Sequence, residues 1–367
     1  MNQIRTLKAI DATVGRAAVL IARCVPLSPS KREPPASILV IRPGGIGDAV
    51  LLIPTLAALM KTYPSAHVTI LAERRNAAIF AFCPGIKNIF RYDVFSEFRS
   101  ALLARYDLVI DTEQWHRFSA VVARLCRPKT LIGFAANERM RLLTHAVRYS
   151  HDDYEAASFL RLLEPLGISA CEPEIPFLTI PQNAVARACE RLEPLVGNPF
   201  VVIFPGASIP ERRWGAKRFH ALAERARAVG YAVVVVGGKD DKEQGDEIIS
   251  DDVGLNLAGA TSLIETAVVL KKGQLLVSGD SGILHLAVGL GLPTVSLFGP
   301  GRAMKWAPKG DNHVVINKNL SCSPCTTFGT TPPCPINARC MTEIGVDEVA
   351  DKMIARLLAE RAGEPKS

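Results

Sequence analysis

A glycine-rich turn that ends in a carboxylate is the first feature of this sequence that could do chemistry. Gly44, Gly45 and Gly47 follow the apolar run 38–41, and Asp48 stands where an apolar-periodic stretch begins, which indicates strand, tight turn and helix. Glycines let a substrate approach the backbone, and a carboxylate held there is placed to act as a general base. The alternative is an N-cap at Asp48, which would stabilise the helix by about 1 kcal/mol.

A second turn offers a different set of groups. Asp280, Ser281 and Gly282 follow the apolar run 275–277 and open a predicted helix, with His285 one helical turn further on. Unpaired amides and the positive end of the helix dipole favour a phosphate at such a helix start. A carboxylate, a hydroxyl and an imidazole beside those amides could bind a diphosphate. The alternative is a capped helix whose His285 faces the core.

Two further polar residues stand after predicted strands between these turns. Arg212 lies in the loop that follows strand 200–204, and a guanidinium can neutralise a phosphate through two parallel hydrogen bonds. Asp241 lies in the glycine turn that follows strand 232–236, where a carboxylate suits a ribose or a base. The alternatives are a solvent-facing arginine and a helix cap.

Four of the nine cysteines are clustered near the end of the chain in the pattern C-x2-C-x8-C-x5-C. Cysteines at such spacings can hold a structural zinc ion or an iron–sulfur group. The alternative is a reduced or disulfide-bridged cluster. A catalytic role is not expected, because the segment lies beyond both glycine turns. The four residues are Cys322, Cys325, Cys334 and Cys340.

The elements that must position these groups follow an alternating pattern from residue 37 onward. Short apolar runs alternate with helical stretches, which is typical of a parallel sheet wrapped by helices. Three prolines between 171 and 181 interrupt the pattern, and a second series follows. We therefore predict an α/β fold with two doubly wound domains. The predicted strands are 38–41, 68–71, 89–92 and 108–111, then 200–204, 232–236, 255–257, 275–277 and 294–298.

The predicted domains are residues 37–180 and 181–345, the second of which includes a cysteine-rich loop, 320–341. Residues 346–367 form a closing helix and tail. Residues 1–36 form a basic amphipathic helix and a linker, because apolar residues recur there at helical spacing among arginines and lysines. Two interpretations of this helix stay open: it packs on the body of the protein, or it touches anionic lipid.

The composition excludes several classes of protein. The chain has 367 residues with 48% hydrophobic and 22% charged residues, as in a folded soluble protein, and its net charge of +7 favours anionic partners. Nucleic acid is not an expected partner, because the basic residues are dispersed and aromatics make up only 6%. No apolar run reaches the length of a membrane span, and Arg16 and Arg23 interrupt any secretion signal. We expect a cytoplasmic protein.

Four motifs in order make the sequence resemble glycosyltransferase family 9, the lipopolysaccharide heptosyltransferases and their relatives. The resemblance covers about residues 37–352, and its last motif is the most specific. The motifs lie at 38–56, at 205–214, at 237–238 and at 280–300.

The resemblance implies a GT-B architecture, in which two Rossmann-like domains face each other across a cleft. The acceptor would bind on the N-terminal side, near Gly44, Gly45 and Gly47, and the nucleotide-sugar on the C-terminal side. It also implies an inverting, metal-independent transfer that needs no cofactor. The position-by-position match gives Asp48 as the catalytic base and Asp280, Ser281, Gly282 and His285 as the nucleotide-diphosphate loop. Arg212 replaces a lysine that commonly contacts the phosphates, and Asp241 falls near an acidic donor-contact position.

The function expected from this resemblance is transfer of heptose from ADP-heptose to a lipopolysaccharide-core or other lipid-linked saccharide. The enzyme would work in the cytoplasm, peripherally on the inner face of the bacterial inner membrane. Two alternatives stay open. One is a nucleotide-sugar epimerase with the GT-B fold. The other is a non-enzymatic metal- or lipid-binding module that keeps the fold.

Overall fold

The computed structural model describes residues 2–29, 33–169, 173–250, 254–327 and 330–361. By its contacts the chain divides into two compact units, Met1–Pro173 and Glu174–Ser367. The domain bounds read from the sequence, 37–180 and 181–345, stay predictions beside this division.

The first unit contains one parallel six-stranded sheet with the strand order β3-β2-β1-β4-β5-β6. Its strands are β1 Ser37–Arg42, β2 His67–Ala72, β3 Asn88–Arg91, β4 Leu108–Asp111, β5 Thr130–Phe134 and β6 His145–Val147. Its helices are α1 Asn2–Ala22, α2 Ile46–Thr62, α3 Phe95–Leu103, α4 Arg117–Leu125 and α5 Glu155–Arg161. Short 3-10 helices cover Ala77–Phe82, Glu138–Leu142 and Glu164–Leu166.

The second unit repeats this arrangement with the strand order β12-β11-β10-β7-β8-β9, again all parallel. Its strands are β7 Phe200–Phe204, β8 Ala232–Val235, β9 Gly254–Asn256, β10 Leu275–Gly279, β11 Thr294–Phe298 and β12 His313–Asn317. Its helices are α6 Val185–Arg191, α7 Ala216–Ala228, α8 Lys242–Ile248, α9 Leu263–Lys272, α10 Gly282–Gly289, α11 Ala303–Trp306, α12 Arg339–Thr342 and α13 Val346–Arg361. Its 3-10 helices cover Gln182–Ala184, Glu193–Leu195, Pro210–Arg212 and Lys239–Asp241.

The central strands show why the sequence predicted the alternation of strands and helices. In β1 the residues Ile38–Ile41 are all buried, as are Leu275–Val277 in β10, because helices cover both faces of a parallel sheet. Each strand then appears in the sequence as a continuous apolar run. The prediction of an α/β fold built from two doubly wound sheets is confirmed.

Both sheets have the Rossmann order, 3-2-1-4-5-6 when the strands are counted within each unit. The order reverses between β1 and β4 in the first unit and between β7 and β10 in the second. Ligands of such sheets bind beyond the carboxyl ends of the strands at this reversal point. The loops after these four strands are therefore where functional groups are expected.

None of the helices in the described part of the chain has the length and apolar character that crossing a bilayer requires.

Candidate functional site

The first glycine turn joins β1 to α2. Helix α2 begins at Ile46 with Gly45 as its N-cap, so Asp48 lies within the first turn of the helix and the N-cap interpretation of Asp48 is wrong. Gly44 has a φ of +105°, a conformation that side chains other than glycine rarely adopt. A Cβ atom on Gly44 would lie 3.6 Å from Asp48 Oδ2. The glycine therefore leaves room beside the carboxylate.

Arg42, the last residue of β1, is buried with only 1% of its surface exposed. Its Nη2 atom lies 3.8 Å from Asp48 Oδ2 and 3.6 Å from Glu113 Oε2. Its Nη1 atom donates a hydrogen bond to the Thr112 carbonyl at 3.1 Å, and the guanidinium stands 5.5 Å from the centre of the Phe159 ring. One buried positive charge is thus shared by two carboxylates at the carboxyl ends of β1 and β4.

Asn76 holds this turn in place. Its Nδ2 atom donates to the carbonyls of Arg42 at 3.1 Å and Gly44 at 3.2 Å, and its Oδ1 atom accepts from the Glu73 amide at 2.9 Å. The side chain is completely buried. The sequence analysis missed Asn76, although an asparagine in the loop after the strand next to β1 was a usable signal.

A buried charge network continues from Glu113 after β4. Burial alone would raise the pKa of Glu113, but the charges of Arg42, His116 and Arg139 lower it overall. Asp111 pairs with Arg139, and both side chains are fully buried. Burial raises the pKa of Asp111 despite this arginine. Of these two carboxyl groups, Glu113 therefore keeps its negative charge more firmly than Asp111 does.

Tyr149 belongs to the same neighbourhood. Its hydroxyl donates to Glu155 Oε2 at 3.1 Å. Burial raises the pKa of Tyr149 far above its ordinary value, and the nearby charges of Glu155 and Asp48 add to the shift. The phenol therefore stays protonated, and its electrostatic coupling to Asp48 marks the two groups as near neighbours.

In the second unit Arg212 and Asp280 form an ion pair beside the second glycine turn. Arg212 Nη1 lies 3.1 Å from Asp280 Oδ2. Burial raises the pKa of Asp280, and the charge of Arg212 opposes that rise. A Cβ atom on Gly301 would come within 2.1 Å of Asp280 Oδ2, so this neighbouring loop requires glycine. The predicted diphosphate-binding arginine is thus already paired.

Helix α10 begins directly after Asp280. Ser281 is its N-cap, and the Ser281 hydroxyl accepts from the Leu284 amide at 3.2 Å. The amides of Gly282 and Ile283 lie in the first turn, where no carbonyl of the helix can accept from them. The positive end of the helix therefore lies within a few residues of the Arg212–Asp280 pair.

His285 faces inward from the first turn of α10. Burial lowers its pKa to about 4, and the charge of Arg212 contributes, so the imidazole is neutral at pH 7. Its ring centre lies 6.3 Å from that of Trp306. Its Nδ1 atom has no hydrogen-bond partner among the residues that the structure describes. The buried position agrees with the core-facing interpretation, and it leaves this nitrogen both buried and unsatisfied.

Asp241 lies between the loops that follow β7 and β8. Its Oδ2 atom accepts from the Gly238 amide at 2.9 Å. A Cβ atom on Gly206 or Gly237 would lie within 2.6 Å or 2.8 Å of Asp241, so the carboxylate fills the space between the loops after β7 and β8. Arg213 Nη2 lies 4.0 Å away. Asp241 thus holds two loops together.

The four clustered cysteines line one pocket with Glu211, and all four are free thiols. Burial raises the pKa of Cys325 and Cys340, and the charges of the other clustered thiols add to it. Across the described ranges no group of three or more histidine, cysteine, aspartate or glutamate side chains is arranged to hold a metal ion. The geometry thus does not support the predicted zinc or iron–sulfur site formed by Cys322, Cys325, Cys334 and Cys340.

Two Rossmann-like units in one chain, each with charged side chains at its strand-order reversal, are typical of glycosyltransferases that use nucleotide-sugar donors. The chain belongs to glycosyltransferase family 9 (heptosyltransferase), whose sequence profile matches residues 95–334. It is a glycosyltransferase, and the non-enzymatic alternative is set aside.

Individual relatives agree with this assignment. Lipopolysaccharide heptosyltransferase 3 of Escherichia coli is 26% identical over 292 residues, which cover 73% of this chain and 85% of the relative. The structure of E. coli ADP-heptose lps heptosyltransferase II superposes with a TM-score of 0.73 at 22% identity, covering 89% of this chain and 99% of that one. The structure of E. coli heptosyltransferase WaaC with ADP superposes with a TM-score of 0.68 at 16% identity. It covers 87% of this chain and 99% of the WaaC chain. These two structures show the shared fold.

Proposed function

We propose that the protein transfers heptose from ADP-heptose to a hydroxyl of a lipopolysaccharide-core or other lipid-linked saccharide. The family and the names of its relatives, which act in lipopolysaccharide and lipooligosaccharide synthesis, support this donor and this class of acceptor. The solved structure that contains ADP supports adenine as the base of the donor. The enzyme would act at the cytoplasmic face of the bacterial inner membrane, where such acceptors are assembled.

The observation that carries the proposal is the position of Asp48. Its carboxylate lies at the carboxyl end of β1, beside Gly44 and 3.8 Å from Arg42. We assign Asp48 as the general base. It takes the proton of the acceptor hydroxyl while that oxygen bonds to the anomeric carbon and the bond from that carbon to the diphosphate breaks. A single displacement of this kind inverts the anomeric configuration.

The donor diphosphate is assigned to the second unit. The first-turn amides of α10 at Gly282 and Ile283, which follow the N-cap Ser281, would donate to phosphate oxygens. Arg212 would supply the positive charge that stabilises the leaving ADP, in exchange for its pair with Asp280. Neutral His285 would add a hydrogen bond without adding charge. The proposal of metal-independent transfer rests on this guanidinium and this helix terminus.

Asp241 takes a different role in this proposal from the direct donor contact predicted by resemblance. Because its carboxylate binds the Gly238 amide and abuts Gly206 and Gly237, it would shape the loops around the nucleotide. We propose that it positions the donor site through those loops.

The test is a transfer assay with purified protein, ADP-heptose and a truncated lipopolysaccharide-core acceptor. Asp48→Asn should lower kcat about 10²- to 10⁴-fold, the usual contribution of a general base, and leave ADP affinity unchanged. Asp351→Asn on the exposed surface of α13 is the matched control and should keep full activity. Full transfer by Asp48→Asn would refute the assignment of the base.

The same assay separates the remaining alternatives. An anomeric configuration opposite to that of the donor supports inversion, and a rate unchanged by EDTA supports metal independence. Conversion of the donor sugar without any acceptor product would refute the proposed transfer.

A further inference from the structure

One face of the N-terminal helix α1 is anchored on the first unit. The helix packs against α4 and the 3-10 helix Glu138–Leu142, and Val19 and Ala22 form a small core with Ala120 and Leu142. Among residues 10–22 of α1, whose burial the structure describes, the buried positions recur at helical spacing. They are Asp11, Gly15, Val19 and Ala22.

Asp11 fixes the rotation of α1 about its own axis. Its Oδ1 atom accepts from the amides of Arg117 at 2.8 Å and Phe118 at 3.0 Å, which begin α4. Burial alone would raise the pKa of Asp11, but these amides and His116 lower it overall. A Cβ atom on Gly15 would lie 3.2 Å from Arg117, so the two helices are in close contact. The outward face of α1 is therefore determined.

That outward face carries a stripe of apolar side chains, which we call the α1 stripe. Ile10, Val14, Ala17 and Ile21 recur at intervals of four, three and four residues, which places them on one side of the helix. Val14 is 54% exposed and Ile21 is 73% exposed, with Leu20 beside them at 56%. Within the described ranges this is a continuous apolar surface open to solvent.

The exposed charges that α1 and the residue after it contribute are basic. Asp11 is the only acidic residue in the sequence of α1, and it is buried. Arg16 and Arg23 are exposed, lie seven residues apart and flank Leu20, on the side of Leu20 away from the stripe. Arg16 Nε lies 3.4 Å from Glu138 Oε1, yet its side chain stays 65% exposed. The outward face of α1 thus combines an apolar surface with positive charge and no acid of its own.

We propose that the α1 stripe is the surface by which this protein docks on an anionic phospholipid bilayer. An apolar helix face with basic residues at its border lies in the plane of the interface, with the apolar side chains among the acyl chains and the arginines at the phosphates. Charge favours this occupant over a second copy of the chain, because Arg16 and Arg23 are exposed at one edge of the outward face, where lipid phosphates would meet them. Lipid phosphates complement them.

The anchor also connects the membrane to the candidate acceptor side of the enzyme. Asp11 holds the start of α4 at Arg117 and Phe118, four residues after Glu113, which shares Arg42 with Asp48. A helix lying on the bilayer would hold this loop near a lipid-linked acceptor. This last step rests on the proposed function, whereas docking on the bilayer does not.

The test is co-sedimentation of the full chain with vesicles of phosphatidylcholine, with or without phosphatidylglycerol, in the absence of donor and acceptor. The wild type should bind only vesicles that contain phosphatidylglycerol. The double variant Val14→Glu/Ile21→Glu should lower the partition coefficient at least tenfold, because each buried aliphatic side chain contributes ~1.5–3 kcal/mol, or about tenfold or more. Phe95→Glu, which replaces an 80% exposed side chain on α3, is the matched control and should bind like the wild type.

A second pair of substitutions tests the charges independently. Arg16→Gln and Arg23→Gln should each weaken partition about fivefold, and added salt should reduce the difference. Unchanged binding by the double glutamate variant, or equal binding to neutral vesicles, would overturn the proposal. So would a wild-type dimer that the glutamate substitutions dissociate, because the stripe would then bind a second copy. Since no substrate is present, a failure here leaves the transferase proposal standing, and the converse also holds.

Discussion

Replacing Arg212 with methionine is expected to weaken ADP binding about 10- to 150-fold. A hydrogen bond from a guanidinium to a phosphate contributes ~1.5–3 kcal/mol net, which corresponds to that range. In the free protein Arg212 is paired with Asp280 at 3.1 Å, and it must exchange this partner for the diphosphate. The loss of ADP affinity is therefore expected to stay within this range. It should not reach the larger free-energy cost of leaving a buried charge unpaired.

The protonation of Asp280 after the substitution sets the upper limit on the loss of ADP affinity. Burial already raises its pKa, and only Arg212 opposes that rise. Without the arginine the carboxyl takes up a proton more readily, so it loses much of the negative charge that would repel a phosphate. The methionine variant should consequently fold and still bind ADP weakly.

The neighbouring arginine provides the matched control. Arg213→Met removes the same charge one residue away, but this side chain is 40% exposed and lies 4.0 Å from Asp241. Exposed charge pairs of this kind contribute about 0–1 kcal/mol, so ADP affinity should change fivefold at most. Isothermal titration calorimetry with ADP at pH 7.5 measures both variants, with thermal melting as the check on folding. Equal loss of ADP affinity in the two variants would mean that only the net charge of the protein matters for ADP binding. Unchanged ADP affinity in Arg212→Met would mean that Arg212 serves only as the partner of Asp280.

Three further changes test the site. His285 has a pKa of about 4 in the folded protein against about 6.5 in an unfolded chain, so the unfolded chain binds more protons between these values and stability falls as pH drops through this window. Urea unfolding should show the wild type losing on the order of 2 kcal/mol between pH 7.5 and pH 5 through this group, and His285→Gln should remove that loss; equal slopes would contradict the pKa shift. Asn76→Ala leaves two buried carbonyls without their donor and should lower the free energy of unfolding in urea by ~2–4 kcal/mol. The control Asn88→Ala, at an exposed position, should lower it by less than ~0.5 kcal/mol. Similar losses in the two variants would argue against Asn76 holding the glycine turn in place. Gly44→Ala should abolish most transfer activity, because the new Cβ atom would lie 3.1 Å from the Arg42 guanidinium. In the control Gly167→Ala the residue also has a positive φ but has open space around it, so this variant should lose stability and keep its activity. Full activity of Gly44→Ala would show that Gly44 is not part of the site.

The strands that the sequence predicted most directly are those in which nearly every residue is buried. Strands β1, β4, β7 and β10 are covered on both faces, so each one is a run of apolar residues that needs no tertiary information to recognise. Strand β6 was missed because it has only three residues, and His145 and Ala146 in it are exposed. Strand β5 was missed because Gly133 interrupts its apolar run.

The role of Asp241 shows what a local pattern leaves out. A carboxylate after a glycine turn suggests a ligand contact, and for Asp241 that contact stays a prediction; the structure adds that Asp241 itself occupies the space beside Gly206 and Gly237, so its own side chain requires these glycines. Gly206 is 35 residues away in sequence and follows a different strand. Only the parallel pairing of β7 with β8 brings the two loops together, and nothing in either loop alone distinguishes a glycine that admits a ligand from one that admits a side chain.

The charge state of the site groups depends on the same kind of pairing. Arg42 lies between Asp48 and Glu113 because Ile41 in β1 is paired with Asp111 in β4, which sets the two loops side by side. In the sequence Arg42 and Glu113 are about 70 residues apart, and this spacing gives no sign that one guanidinium serves two carboxylates. In the second unit the same holds for Arg212 and Asp280, whose loops follow the paired strands β7 and β10. In the second unit Arg212 is already paired before a ligand arrives, so under the proposed function the donor diphosphate would bind by replacing the Asp280 carboxylate. Affinity in such a site depends on how well the displaced carboxylate is accommodated, which for Asp280 means how readily it takes up a proton.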